Sequence, residues 1–174
     1  MVAGMNAYTL FHVVLSLVGI SSGLVVLWGM LSSQRLPGWT HVFVWTTVAT
    51  TLTGFGFPFA GFTPAIGTGI VSSIILAFTV FALYARKLAG SWRRTYVISA
   101  VAALYLNVFV LIVQLFLKVP SLHVLAPQGK EPPFAISQGL ALILFIAAGV
   151  AAVKRFFPSG IPQASTVSLQ ERLP

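Results

Sequence analysis

Long apolar runs, separated by short polar or proline-rich segments, dominate the hydropathy pattern of the chain. A helix rises about 1.5 Å per residue, so about 20 apolar residues cross the roughly 30 Å hydrocarbon layer of a membrane. The runs predict five such spans, over residues 8–31, 41–57, 66–85, 95–117 and 134–153. We therefore predict an all-α fold, a polytopic bundle of transmembrane helices. It forms a single domain over residues 1–157, followed by a flexible cytoplasmic tail over 158–174.

Residues 41–85 permit two arrangements. This stretch is about twice as long as one crossing requires, which favours two helices. Gly54 and Pro58 interrupt it, because glycine weakens a helix and proline disfavours helical geometry in the residue before it. A re-entrant hairpin over the same residues is the alternative.

The predicted span over residues 95–117 carries two amides in an otherwise apolar run. Gln114 follows Asn107 by seven positions, so the two lie about 20° apart on one helix face. Phe109 and Phe116 lie on the opposite face. Because an amide in hydrocarbon needs a hydrogen-bond partner, we expect the amide face to point inward and the phenylalanines to face lipid.

Composition supports a membrane protein. The chain is 57% hydrophobic and 7% charged, whereas a soluble domain carries about 25% charged residues. Its net charge of +8 does not predict a nucleic-acid partner. The basic residues lie at the ends of the apolar runs, where membrane topology and anionic lipid headgroups account for them. Membrane lipids are therefore the expected partners.

The basic residues also orient the predicted helices. With five spans, eight of them lie on one side of the membrane, and only Lys118 and Lys130 lie on the other. The eight are Arg35, Arg86, Lys87, Arg93, Arg94, Lys154, Arg155 and Arg172. Because cytoplasmic loops are enriched in Lys and Arg, we predict that the N-terminus lies outside and the C-terminus in the cytoplasm.

Groups that carry acid–base, redox or metal chemistry are scarce. The chain has no cysteine and no aspartate, and its only acidic side chains are Glu131 and Glu171. We therefore predict no catalytic residue and no metal ligand. The Gly19–Gly23 segment matches GxSxG, but it lies within a predicted helix instead of the strand–turn–helix of hydrolases. Helix packing through its GxxxG spacing explains it better.

The three histidines are the remaining cofactor candidates. A bis-histidine haem needs two imidazoles from facing helices at one membrane depth. His12 is expected toward the outer face, His41 at the cytoplasmic edge and His123 in an outer loop. Only His12 with His123 could meet, and only if the loop folds inward. We therefore predict no cofactor and do not expect haem.

Four polar side chains converge in the outer half of the predicted bundle. His12, Gln114 and Gln138 enter from the outer end, and Asn107 lies deeper. Intramembrane polar residues are candidates for function, so these four form a candidate ligand-binding pocket open to the outer leaflet. Alternatively they join helices through hydrogen bonds worth about 0.6 kcal/mol each, and we favour that interpretation.

Part of the sequence resembles a known group. The run LYLNVFVLIVQLFLKVPSLHVLAP, followed by EPPF, is similar to small bacterial multi-pass membrane proteins, with weaker support from TTVATTLTGFGFPF and GFTPAIG. This resemblance implies a bacterial inner-membrane location and carries no activity with it.

Two functions are consistent with these features. The first is an accessory or structural subunit that acts through helix–helix contacts, with a second copy of the chain or another membrane subunit as its partner. The alternative is a binding or transport component for a small apolar or amphipathic ligand, such as a lipid or quinone, in the outer-leaflet pocket. No charged residue lies inside a predicted span, which argues against proton- or ion-coupled transport.

Overall fold

The fold is a bundle of helices. A computed structural model describes residues 6–58, 61 and 63–157, and within these ranges it contains no strand. The helices are α1 (Ala7–Leu31), α2 (Pro37–Gly54), α3 (Pro64–Val80), α4 (Trp92–Lys118), α5 (Pro120–His123) and α6 (Pro132–Arg155). A π-helical turn, Phe81–Ala85, continues α3. The predicted tail over 158–174 lies outside the described residues.

Four helices are long and apolar enough to cross a membrane. They are Ala7–Leu31, Pro64–Ala85, Trp92–Lys118 and Pro132–Arg155. Their length and composition indicate a multi-pass, membrane-embedded protein, as the sequence predicts. The remaining long helix, α2, has 18 residues and carries six threonines, which make it less apolar than the others.

Prolines and short polar side chains set the helix starts. α2, α3 and α6 each begin at a proline, which fits the first turn because its missing N–H would have no intrahelical partner there. For this reason α2 begins at Pro37, four residues before the predicted start of the second span. At α1, the Asn6 side chain accepts a hydrogen bond of 2.8 Å from the Thr9 backbone N–H, as a capping residue does.

α1 and α2 pack closely along their whole length. At one end Gly29 of α1 faces Leu36, just before α2 begins. At the other end the Tyr8 hydroxyl donates a 2.5 Å hydrogen bond to the Thr53 carbonyl. α2 therefore runs antiparallel beside α1 from one end to the other.

The two glycines of the GxxxG pair in α1 contact other helices of the same chain. Gly23 packs against the rings and methyls of Phe43 and Leu104, and Gly19 lies beside the Thr47 hydroxyl. The absence of side chains at these glycines lets α2 and α4 approach α1 closely. This glycine face is buried between three helices of one chain.

The predicted orientation of α4 is correct at its middle and wrong near its end. Asn107 is half-buried, as expected, but Gln114 is exposed and Phe116 is buried. The neighbours of α4 change along its length. At the Phe116 turn, Phe134 at the start of α6 covers the phenylalanine face, with the two ring centroids 5.4 Å apart.

One end of the bundle, which we call the cationic end, gathers the ends of α1, α3 and α6 and the starts of α2 and α4. Contacts between Phe157 and Ser33, and between Arg93 and Phe156, join these termini. Seven basic residues of the described chain lie there: Arg35, Arg86, Lys87, Arg93, Arg94, Lys154 and Arg155. All four tryptophans, Trp28, Trp39, Trp45 and Trp92, lie within about 12 Å of it along their helices.

The opposite end carries Lys118, Lys130 and Glu131. The connection between α4 and α6, where His123 was expected in an outer loop, contains the short helix α5, which begins at Pro120. The Glu131 carboxylate accepts hydrogen bonds from the backbone N–H groups of Lys130 (2.9 Å) and Gln128 (3.0 Å). These donors, Lys130 first, lower the pKa of Glu131 below its usual value.

Candidate functional site

His12, the first predicted site residue, is held by α2. Its Nδ1 lies 2.8 Å from the Thr53 hydroxyl oxygen. That hydroxyl already donates its hydrogen to the Ala49 carbonyl at 2.7 Å, so it can only accept from the imidazole. The hydrogen-bond network therefore assigns the hydrogen of the neutral ring to Nδ1 and leaves Nε2 as an acceptor. The Phe57 ring packs edge-on against the imidazole, with centroids 5.1 Å apart.

This assignment predicts the tautomer of His12. We expect ¹⁵N NMR of the protein in detergent micelles to show that the neutral His12 ring is protonated at Nδ1. Thr53→Val should remove that preference and destabilise the fold by about 0.6 kcal/mol, the average for an interhelical hydrogen bond in a membrane. Thr53→Ser keeps the acceptor and should keep the tautomer. A wild-type ring protonated mainly at Nε2 would contradict the assignment.

Asn107 and Gln138 also bond to neighbouring helices. The Asn107 Nδ2 donates to the Thr47 hydroxyl of α2 at 3.3 Å. The Gln138 Nε2 donates to the Phe109 carbonyl of α4 at 3.2 Å, while its Oε1 is buried without a hydrogen-bond partner in the described chain. Gln114, the fourth predicted residue, is exposed on the surface of α4.

Three of the four predicted site residues thus occupy different helix interfaces. His12 joins α1 to α2, Asn107 joins α4 to α2, and Gln138 joins α6 to α4. Each bond goes to a residue outside the group of four. The sequence did not identify the partners Thr47 and Thr53, although the run of threonines on α2 was visible. A ligand pocket formed by the four residues stays a prediction.

His12 and His41 lie far apart. His12 contacts Thr53, which lies twelve positions beyond His41 on the same helix, or about 18 Å along its axis. His123 lies on α5, where its Nδ1 is 3.3 Å from the Phe116 carbonyl oxygen. Within the described ranges, no group of three or more His, Cys, Asp or Glu side chains is placed to hold a metal ion.

A cavity of about 150 Å³ opens at the cationic end. It lies between the end of α1, the start of α2, the π-helical turn, the start of α4 and the end of α6. Its polar lining residues are Gln34, Arg35, Thr40, His41, Tyr84 and Tyr96. Its apolar lining residues are Val26, Met30, Leu36, Pro37, Leu83, Leu88 and Phe156. We call it the cationic-end cavity.

Aromatic stacking fixes the polar wall of this cavity. Tyr84 stacks on the His41 ring, with centroids 5.6 Å apart, and lies 6.1 Å from the Trp45 ring. The Tyr84 hydroxyl is buried and has no hydrogen-bond partner in the described part of the chain. A buried hydroxyl without a partner loses its hydration without compensation, so it is a donor ready for a ligand or water.

The backbone near the cavity has unusual geometry. Tyr84 belongs to the π-helical turn, a form that is rare and often found at functional sites. Leu88, fully buried in the wall, has a φ of 63°, in the left-handed region that bulky side chains rarely adopt. Its N–H donates to the Ala82 carbonyl at 3.0 Å, which holds the chain in this conformation. Such local strain persists only where the surrounding packing maintains it.

The sequence alone did not predict this cavity. Its visible signals were weak: Tyr84 precedes Arg86 and Lys87, and Tyr96 follows Arg93 and Arg94. Tyrosines beside basic residues are common at the ends of membrane helices, so they do not by themselves indicate a site.

Comparisons with protein-family models, curated proteins and solved structures give no significant match.

Proposed function

We propose that the chain is a five-span protein of the bacterial inner membrane that serves as an accessory or structural subunit through helix–helix contacts. The four apolar helices support membrane insertion. The resemblance of its C-terminal half to bacterial multi-pass proteins supports the location. The side chains of His12, Asn107 and Gln138 bond to neighbouring helices, which is typical of a structural role.

The length of α2 and its position beside α1 support a total of five membrane spans, with α2 as the second in chain order. This helix has 18 residues, about 27 Å at 1.5 Å per residue, close to the thickness of the hydrocarbon layer. It also lies antiparallel beside α1 from the Gly29 turn to the Tyr8 turn. A helix that accompanies a membrane-crossing neighbour for its whole length crosses with it, whereas a re-entrant segment would turn back partway.

The distribution of basic residues supports the predicted orientation of the bundle in the membrane. Seven basic residues of the described chain cluster at the cationic end, and two lie at the other. By the positive-inside rule, the cationic end faces the cytoplasm. The N-terminus of α1 then lies outside, and the end of α6 lies inside.

The exposure of Gln114 is the observation that best supports the subunit proposal. The other three polar residues of the predicted group face neighbouring helices, but the Gln114 amide is exposed on α4, about 6 Å from its end at Lys118. An amide that faces the hydrocarbon edge gains from a hydrogen-bonding partner helix. We infer that a second copy of the chain or another membrane subunit packs over this part of α4.

Ligand binding in the outer half is a second candidate function. The Gln138 Oε1 is buried without a partner, and the tautomer of His12 leaves its Nε2 as an acceptor. A small amphipathic ligand such as a lipid or quinone, with a hydroxyl donor, would satisfy either group. We rank this candidate second because these two acceptors belong to different helix interfaces.

Co-purification tests the subunit proposal. Two copies of the full chain with different affinity tags would be expressed together and extracted from the membrane in mild detergent. We expect the wild type to retain a second copy or a distinct membrane protein at fixed stoichiometry. Gln114→Leu, which removes the amide but keeps the side-chain size, should weaken that association about three- to twentyfold, the factor for one interhelical hydrogen bond.

Gln114→Asn is the matched control, because it keeps an amide at the same position. It should retain more of the partner than the leucine variant does. A wild-type chain that purifies alone would contradict the subunit proposal. A bound lipid or quinone lost in Gln138→Leu would favour the second candidate instead.

A further inference from the structure

The cationic-end cavity has the size of a small polar group. An engineered cavity of similar volume, about 150 Å³, holds one benzene molecule in another protein. The cationic-end cavity, at about 150 Å³, therefore has room for a phosphate group with its ester carbons. A nucleotide or a flavin is several times larger and would not fit.

The lining of the cavity is rich in hydrogen-bond donors. The Arg35 guanidinium supplies a fixed positive charge, and the imidazole of His41 and the hydroxyls of Tyr84 and Tyr96 supply further donors. Arginine pairs with phosphate through two parallel N–H donors, which makes it the preferred residue for phosphate recognition. The unpartnered Tyr84 hydroxyl provides one donor that the folded chain leaves unused.

The start of α2 adds to the attraction for an anion. Leu36, Pro37 and Thr40 line the cavity, so the first turn of this 18-residue helix borders it. No side chain caps this helix start. The N-terminus of a helix carries a partial positive charge, which favours a bound anion. Here that attraction comes from the helix dipole, because Pro37 has no N–H and the Thr40 N–H donates to the Leu36 carbonyl at 2.8 Å.

No carboxylate of the described chain neutralises the cavity. Glu131, the acidic residue in the described ranges, lies at the start of α6, whereas Phe156 follows the end of that helix and lines the cavity. The 24 residues of α6 separate them by about 36 Å. The charge of Arg35 therefore lacks a carboxylate partner within these ranges, and an external anion would supply one.

The position of the cavity selects a lipid as the source of that anion. All four tryptophans lie near this end, and tryptophans gather at the level of the lipid headgroups. Trp45, 54% exposed, packs beside Tyr84 at the cavity wall. We propose that the cationic-end cavity binds the phosphate group of an anionic phospholipid. This proposal uses a different site from the subunit proposal and is independent of it.

Native mass spectrometry of the full chain tests this site. Protein purified in mild detergent would be mixed with equal amounts of phosphatidylglycerol and phosphatidylcholine, and the retained lipids counted. We expect preferential retention of phosphatidylglycerol. Arg35→Gln should reduce it about tenfold, as expected for loss of one charge-assisted hydrogen bond. Tyr84→Phe, which removes only the unpartnered hydroxyl, should reduce it about fivefold.

Arg94→Gln is the matched control, because Arg94 is an exposed cation of the same end that does not line the cavity. It should change lipid retention by less than a factor of about two. Equal losses in Arg35→Gln and Arg94→Gln would overturn the proposal in favour of diffuse attraction by surface charge. Absence of a preference for phosphatidylglycerol would also overturn it. Displacement of the lipid by excess inorganic phosphate would overturn the lipid source and assign the site to a soluble phosphate.

Discussion

Replacing Arg93 with methionine is expected to lower the free energy of unfolding by about 3 kcal/mol. Arg93 is only 6% exposed, and its Nη1 donates to the carbonyls of Val153 (3.1 Å) and Phe156 (2.6 Å) at the end of α6. Its guanidinium also lies 3.9 Å from the centroid of the Phe157 ring. These contacts satisfy carbonyls that a helix end leaves without intrahelical partners, and they place a positive charge at the negative end of the α6 dipole.

Methionine keeps the apolar part of the side chain but donates no hydrogen bond. The loss of two charge-assisted bonds, partly offset by relief from burying a charge, gives the expected magnitude. In thermal unfolding followed by circular dichroism in detergent, it corresponds to a fall in Tm of about 6–12 °C for a chain of this length.

The adjacent Arg94 provides the matched control. It carries the same charge on the same turn of α4 but is exposed. Arg94→Met should therefore change the free energy of unfolding by no more than about 0.5 kcal/mol. If both variants lost stability equally, the effect would come from net charge at this end, and the role assigned to Arg93 in holding α6 against α4 would be wrong.

The long apolar helices were predictable because one physical requirement dominates the sequence of a membrane span. A segment in hydrocarbon must be apolar over its whole length, so the run between Arg94 and Lys118 is visible without knowledge of its neighbours. The ends of the helices were harder to predict from the sequence, because they depend on local capping. The start of α2 at Pro37 is an example, because a proline can either break a helix or open one.

Lateral packing was harder to predict, because it depends on which neighbour covers each face. The pattern of amides and phenylalanines on α4 is correct at Asn107, where α2 is the neighbour. It is wrong at Phe116, where the first turn of α6 covers the opposite face. Helical periodicity describes one helix, whereas burial depends on several.

The cationic-end cavity was not predictable for a related reason. Arg35 and His41, Tyr84, and Tyr96 come from three separate parts of the chain, and the ends of five helices bring them together. Each residue alone fits the interfacial position at which aromatic and basic side chains are common. Only the packing shows that they share a space and that the Tyr84 hydroxyl has no partner in the described chain.

Adding a side chain at Gly23 is expected to disrupt the centre of the bundle. A Cβ at this position would lie 2.6 Å from Leu104 Cδ1 and 2.8 Å from the ring of Phe43. Both neighbours are buried, so neither can move without disturbing the packing of α4 or α2 on α1. Gly23→Val should lower the free energy of unfolding by about 3 kcal/mol, at the upper end of the range for overpacked cores.

Gly139→Val separates this packing effect from the intrinsic preferences of glycine and valine in a helix. Gly139 lies within α6, and no atom lies within 4 Å of a Cβ built there. Because both substitutions replace a helical glycine with the same β-branched residue, their difference in Tm reports the contacts of Gly23 with α2 and α4. We expect Gly139→Val to leave Tm within about 2 °C of the wild type and Gly23→Val to lower it by about 6–12 °C. Similar values for the two would show that α1 does not need a glycine at this contact, and the close packing of three helices around Gly23 would then be refuted.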